Sequence, residues 1–201
     1  MKAPIITALW VISAHLALSQ VRASTLRRYL PSPQKVVAAA RRGTEPEYGA
    51  VRRVLDADTY EVLIPAGLVR VRLLGADAPE LGQPFGRQAA DSVARLPRGR
   101  LLQVDRGAAD RYGRSLAGLR VLVTNQKGRQ WLRVDSLAVA RGWAWAYEPG
   151  QTAPRWATLQ QLAQAKYRGL WKCGTAAPVR PAVWRAYNKQ EKLAGWGRCS
   201  W

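Results

Sequence analysis

Between residues 51 and 76 apolar and polar positions alternate. The segments VRRVLDADTYEVLI and LVRVRLLGA carry Val, Leu, Ile or Tyr at close to every second position, the period of a strand with one buried face. PAG between them reads as a turn, so the pair predicts an antiparallel hairpin. RLLQVDRG and RSLAGLRVLV repeat the pattern around AADRYG, a turn-forming loop that contains Gly113. In FGRQAADSVARL the period changes: Ala89, Val93 and Leu96 share one side of a helix that Pro97 stops. Two more helices are predicted, one in LRVDSLAVARG ending at Gly142, the other in TAPRWATLQQLAQAKYRGLW, opened by Pro154 and closed by Gly169. Four or five short strands with about three packed helices predict an α+β fold built on a small barrel.

The two ends read differently. Lys2 precedes APIITALWVISAHLALS, an apolar run of the length used for secretion, and VRAS places Val21 and Ala23 where a signal peptidase would cut. Residues 1–44 contain no Asp or Glu, which leaves a transit peptide and an uncleaved membrane anchor as rivals. The single Lys ahead of a long apolar run favours export, to the periplasm or the medium. The expected organisation is a signal peptide or anchor at 1–23, a basic linker at 24–46 with a short helix at QKVVAAARR, a body at 47–171 and a Trp- and Arg-rich tail at 172–201. Cys173 and Cys199 are the two cysteines of the chain; in an oxidising compartment they predict a disulfide closing the tail. With His15 in the leader, zinc ligation and histidine catalysis are excluded from the mature body. The tail aromatics either stack on bases or pack the tail on the body. A short extension needs buried aromatics to stay ordered, which favours packing.

Charge sharpens the picture. The 201 residues hold 32 Lys and Arg against 13 Asp and Glu, a net charge of +19, which favours a polyanionic partner. Yet five of the acids, Asp56, Asp58, Glu61, Asp77 and Glu80, lie within one hairpin segment. With the turn centred near Ala66, position 58 is expected opposite about position 74, bringing Asp58 and Asp77 to one mouth. Each acid taken singly could cap a turn or pair with an Arg. Together they repel one another unless a cation sits among them, and oxygen donors without His or Cys select calcium or magnesium. Arg72, five residues before Asp77, and Arg114, after the DRYG turn, add forked cations of the kind a phosphodiester transition state needs. Glu80 is then left to orient or deprotonate a water.

DADT, VRLLGADAPE, FGRQAA, DRYGRSLA and ARGWAWAY, in that order, resemble the staphylococcal nuclease (thermonuclease) family over residues 48 to 171. The resemblance implies a five-stranded OB-fold β-barrel with packed helices. It also implies calcium-dependent endonuclease hydrolysis of DNA and RNA that leaves 3′-phosphates, with Ca2+ preferred over Mg2+. By the same resemblance Asp58 and Asp77 are metal ligands, Arg72 and Arg114 bind phosphate, and Glu80 is the proposed general base. Tyr112 and Tyr147 match tyrosines of the nucleotide pocket. Ala57 stands where the family commonly has Gly, and Ala78 where its best-known member has a Thr acting through its carbonyl; neither departure removes a charge. DNA or RNA is the expected partner of a monomer with no obligate protein partner. Two other classes remain: a non-catalytic OB-fold nucleic-acid binder, and a surface-tethered basic protein that binds anionic lipid or polysaccharide. Export predicts a mature chain beginning at Ser24; intact-mass measurement of the exported protein checks this, a retained leader indicating the anchor.

Overall fold

Short turns determine which strands become neighbours. The computed structural model describes residues 46–126, 128–147, 154–176, 178–194 and 199–201; the leader and most of the linker, with its short helix, lie outside the described residues. Strands β1 (Glu47–Asp56), β2 (Thr59–Ile64) and β3 (Gly67–Leu73) form an antiparallel meander. The two-residue β4 (Ala76–Asp77) leads to helix α1 (Gly86–Ala94), then β5 (Leu102–Ala109), β6 (Ser115–Asn125) and β7 (Gly128–Arg133). Helix α2 (Val134–Ala140), the short β8 (Trp145–Ala146) and helix α3 (Pro154–Ala165) complete the body. A 3-10 turn (Gly169–Trp171) ends the body, and the tail adds the short helices α4 (Pro181–Ala186) and α5 (Lys189–Ala194).

Hydrogen bonding runs β3-β2-β1-β5-β6-β7, and β6 also pairs with β3 in parallel, closing five strands into a ring. Ring closure leaves β7 as the outer strand and gives the expected five-stranded OB-fold barrel. Alternation explains its interior: Tyr60, Val62, Ile64, Val71, Leu73, Leu102, Val104, Leu119 and Val121 are all buried. Ala89 and Val93 of α1 and Val134, Ala138 and Val139 of α2 join the same core.

The structure corrects several boundaries. VRRVLDADTYEVLI is two strands, because the backbone N–H of Asp58 donates to Asp56 Oδ1 at 3.0 Å and turns the chain at Ala57. Position 58 faces Leu73, whose N–H donates to the Asp58 carbonyl at 2.8 Å, one residue from the expected register. Leu132 and Arg133 finish β7 instead of starting a helix. That strand escapes the alternation pattern because its first four residues are exposed. Helix α2 starts at Val134, two residues after the expected Leu132, where buried Asp135 accepts Arg133 Nε at 3.0 Å. Helix α3 ends at Ala165 and not at Gly169, since Tyr167 adopts a positive φ of 49°. A Cβ on Gly142 would stand 2.2 Å from the Arg168 carbonyl oxygen, and one on Gly169 2.3 Å from that of Gly142. Only glycines let these two segments touch.

A second core holds the tail. Trp145, Ala163, Leu170, Trp171 and Trp184 are buried together, with Phe85, Val179, Tyr187 and Trp201 packed around them. The tail aromatics therefore pack on the body, as the need for order favoured. Cys173 and Cys199 form the expected disulfide, with Cα atoms 5.8 Å apart and 26 residues of separation. Closing a loop of that length contributes roughly 3 kcal/mol. Replacing both cysteines by serine is expected to lower Tm and open the tail to limited proteolysis while the barrel stays resistant; mass mapping of the first cuts checks this.

Candidate active site

Alternation along β3 sends Val71 and Leu73 inward and leaves Arg72 on the opposite face. The closing pair aligns Arg72 with Leu116, so the 110–114 turn that precedes β6 lies beside it. A separate pairing of Asp77 with Trp145 fixes β4 against β8. Arg72 thereby bridges two acids: Nη1 donates to Asp58 Oδ1, and Nη2 to Asp77 Oδ1 at 2.7 Å. Asp58 is fully buried. Its other oxygen accepts the Ala78 N–H at 2.5 Å, and Thr59 Oγ1 donates to Oδ1 at 2.9 Å. Burial, and then the nearby charge of Asp56, push the Asp58 carboxyl well above the usual carboxylate range, against the pull of Arg72 and the Ala78 N–H. Burial alone would lower Arg72, but Asp58 and Asp77 outweigh it and hold the guanidinium charge.

Arg114 is aimed by Asp110. Arg114 Nε donates to Asp110 Oδ2 at 2.8 Å, and the N–H groups of Tyr112 and Arg114 donate to Oδ1 at 2.9 and 3.0 Å. Desolvation opposes ionisation of Asp110, yet these bonds from Arg114 and the turn bring its carboxyl below the ordinary value. The guanidinium carbons of Arg111 and Arg114 lie 4.8 and 5.3 Å from the Tyr112 ring centre. That ring is well exposed, as is Tyr147, whose N–H donates to the Gly75 carbonyl at 3.3 Å.

Glu80 sits on a loop tied to itself and to the tail. Its N–H donates to Gln83 Oε1 at 3.0 Å, and its carboxylate pairs with Arg185 of α4. A Cβ on Gly86 would fall 1.8 Å from the Glu80 carbonyl oxygen, so the first residue of α1 must be glycine. Asp56, Arg72, Asp77, Glu80, Asp110, Tyr112, Arg114, Tyr147 and Arg185 line one cleft of about 780 Å³. Asp58 is buried and does not line it, but bonds to Arg72, which does.

Arg72, Asp77, Glu80, Arg114, Tyr112 and Tyr147 thus share the cleft. Glu61 does not join them: it pairs with Arg53 and Arg70, both at 3.3 Å, because its strand position points away. Among the described residues no three His, Cys, Asp or Glu side chains group tightly enough to hold an ion. The expected cluster is instead two carboxylates bridged by Arg72. The donor type, oxygen only, is that of a hard cation; of the two acids only Asp77 lines the cleft, and Arg72 already bridges them, so an ion held there takes the place of the guanidinium. Sequence reasoning missed Asp110, Gln83 and Arg185. The D-x-x-G turn signalled Asp110, but nothing marked Arg185.

A closed barrel with arginines and carboxylates gathered in one cleft defines an OB-fold protein with a charged cleft. The family model described as Staphylococcal nuclease homologue matches residues 70–173, and the chain belongs to that family. It is 38% identical over 138 residues to the Uncharacterized endonuclease of Escherichia coli O157:H7, covering 69% of this chain and 84% of that protein. It is 35% identical over 144 residues to the Micrococcal nuclease of Shigella flexneri, covering 70% and 82%. Similarity at 30% over 171 residues extends to the Probable staphylococcal-like nuclease CAN1 of Oryza sativa, covering 84% and 45%. Gly86→Ala is expected to displace the Glu80 loop and cost roughly 1–3 kcal/mol; chemical denaturation beside wild type measures it.

Proposed function

We propose that this chain is an exported, metal-dependent endonuclease that hydrolyses phosphodiester bonds of DNA and RNA and leaves 3′-phosphates. One observation carries the reading. Arg72 on its paired carboxylates and Arg114 on Asp110 share a cleft with Glu80, in a chain of the staphylococcal nuclease homologue family. A divalent cation, calcium before magnesium, would be held by Asp58 and Asp77 and would supply positive charge beside the phosphoryl oxygens. Arg72 and Arg114 neutralise the charge that builds on those oxygens during in-line attack. Glu80 accepts a proton from water as the water oxygen bonds to phosphorus. The bond from phosphorus to the 5′ oxygen breaks, and that oxygen leaves as a hydroxyl after taking a proton from solvent water. Tyr112 and Tyr147 offer rings for the sugar and base.

Export follows from the leader at 1–23, with 24–46 as linker, and the active form is a monomer. A second reading rests on Arg72 itself. Its position between Asp58 and Asp77 suits a metal-free nucleic-acid binder, which would keep its affinity in chelator and cleave nothing.

Mature protein, residues 24–201, is to be assayed on single-stranded DNA and on RNA in calcium and in excess chelator. Cleavage is expected only with the ion. Glu80→Gln is expected to lower kcat by about 10²-fold or more, with DNA affinity in chelator nearly unchanged. Salt-sensitive binding with no cleavage under any ion establishes the second reading instead.

A further inference from the structure

The matched family region ends at residue 173, but the cleft does not. Arg185, in α4 of the tail, donates from Nη1 to Glu80 Oε1 across 105 positions of sequence. Buried Gln83 makes a second link: while its Oε1 holds the Glu80 N–H at 3.0 Å, its Nε2 donates to the Val179 carbonyl at 2.6 Å. A third contact lies at the start of α1, where Phe85, at a φ of 66°, packs its ring 5.7 Å from that of Trp201. The tail thus touches the Glu80 loop at its carboxylate, at its backbone clamp and at the residue preceding α1.

Of the other arginines lining the cleft, Arg72 pairs with Asp58 and Asp77, Arg114 with Asp110 and Arg70 with Glu61, while Arg111 lies over the Tyr112 ring. Burial of Trp184 against Trp145 and Trp171 fixes the rotation of α4, which delivers the next residue, Arg185, to the cleft. The Cys173–Cys199 disulfide closes the segment that carries it. Side-chain exposure of 59% for Arg185 and 40% for Glu80 makes this a poor stabilising pair. Its consequence is direction: a carboxylate with a fixed partner samples fewer rotamers.

We infer that the C-terminal tail is a wall of the active cleft and that Arg185 is a positioning residue, holding the Glu80 carboxylate where it meets the attacking water. This rests on the nuclease reading of Glu80. Wild type, Glu80→Gln, Arg185→Ala, Arg185→Lys and the Glu80→Gln/Arg185→Ala double variant are compared on single-stranded DNA in saturating calcium. DNA affinity in chelator, by fluorescence anisotropy, and Tm are read alongside. Arg185→Ala is expected to lower kcat about tenfold, with KM and affinity within about threefold of wild type. Arg185→Lys should restore much of the loss. In the Glu80→Gln background, Arg185→Ala should add nothing. An unchanged or raised kcat, a change in KM and affinity alone, or losses that multiply in the double variant would each overturn the inference. If Arg185→Ala lowers Tm, Arg185→Met, which keeps an unbranched stem, takes its place. Failure of wild type to cleave, or full activity in Glu80→Gln, sinks the nuclease reading and this inference with it. A dead Glu80→Gln beside a fully active Arg185→Ala sinks this inference alone.

Discussion

Parallel pairing of residues 71–73 with 115–117 closes the ring, and the cleft exists because of it. Without that contact β3 would present an open edge, and Arg72 and Arg114 would stand on strands with no fixed relation. With it, one backbone ladder sets the distance between two guanidinium groups. The side chains that face inward from the same strands, Val71, Leu73, Ala117 and Leu119, form part of the barrel core. Stability and geometry thus rest on the same residues, one face of each strand packing the interior while the other carries charge.

Charge placement follows from that closure. A chain with a net charge of +19 has little electrostatic reason to bury a carboxylate, yet Asp58 is fully enclosed. Its compensation is dense: Arg72, the Ala78 N–H and the Thr59 hydroxyl all donate to its two oxygens. Asp110 serves Arg114 in the opposite sense, an acid at the rim that gives a flexible cation one direction. In both pairs the carboxylate fixes the arginine, and a fixed arginine loses less entropy on meeting a phosphate.

The tail extends this economy to a second core. Trp184 shares its burial with Trp145 and Trp171 of the body, so the segment beyond the matched family region is packed against the barrel protein and not merely attached to it. From that anchorage Val179 and Arg185 reach the loop that holds Glu80. A chain end can shape a cleft when aromatic burial supplies its order.

Local signals carried part of the fold. Period-two alternation marked the hairpin, Pro97 bounded α1, and two cysteines in a tail gave one bond. The acids of DADT and GADAPE and the arginines of VRLLG and DRYGRS could be named because each motif lies within a few residues of its turn. Boundaries failed where a local hydrogen bond or positive φ intervened, as at Asp56 and Tyr167, and β7 was lost because its exposed residues carry no alternation. Sequence by itself determined the strand periods, the hairpin, the charged residue types and the disulfide partners, since these depend on neighbours along the chain. Only the tertiary structure decided that Arg72 lies between Asp58 and Asp77, that Glu61 turns away, and that Arg185 meets Glu80. Those outcomes depend on a parallel closure between strands about 40 residues apart and on a tail packed by tryptophans, and contacts of that range leave no periodic trace in the sequence.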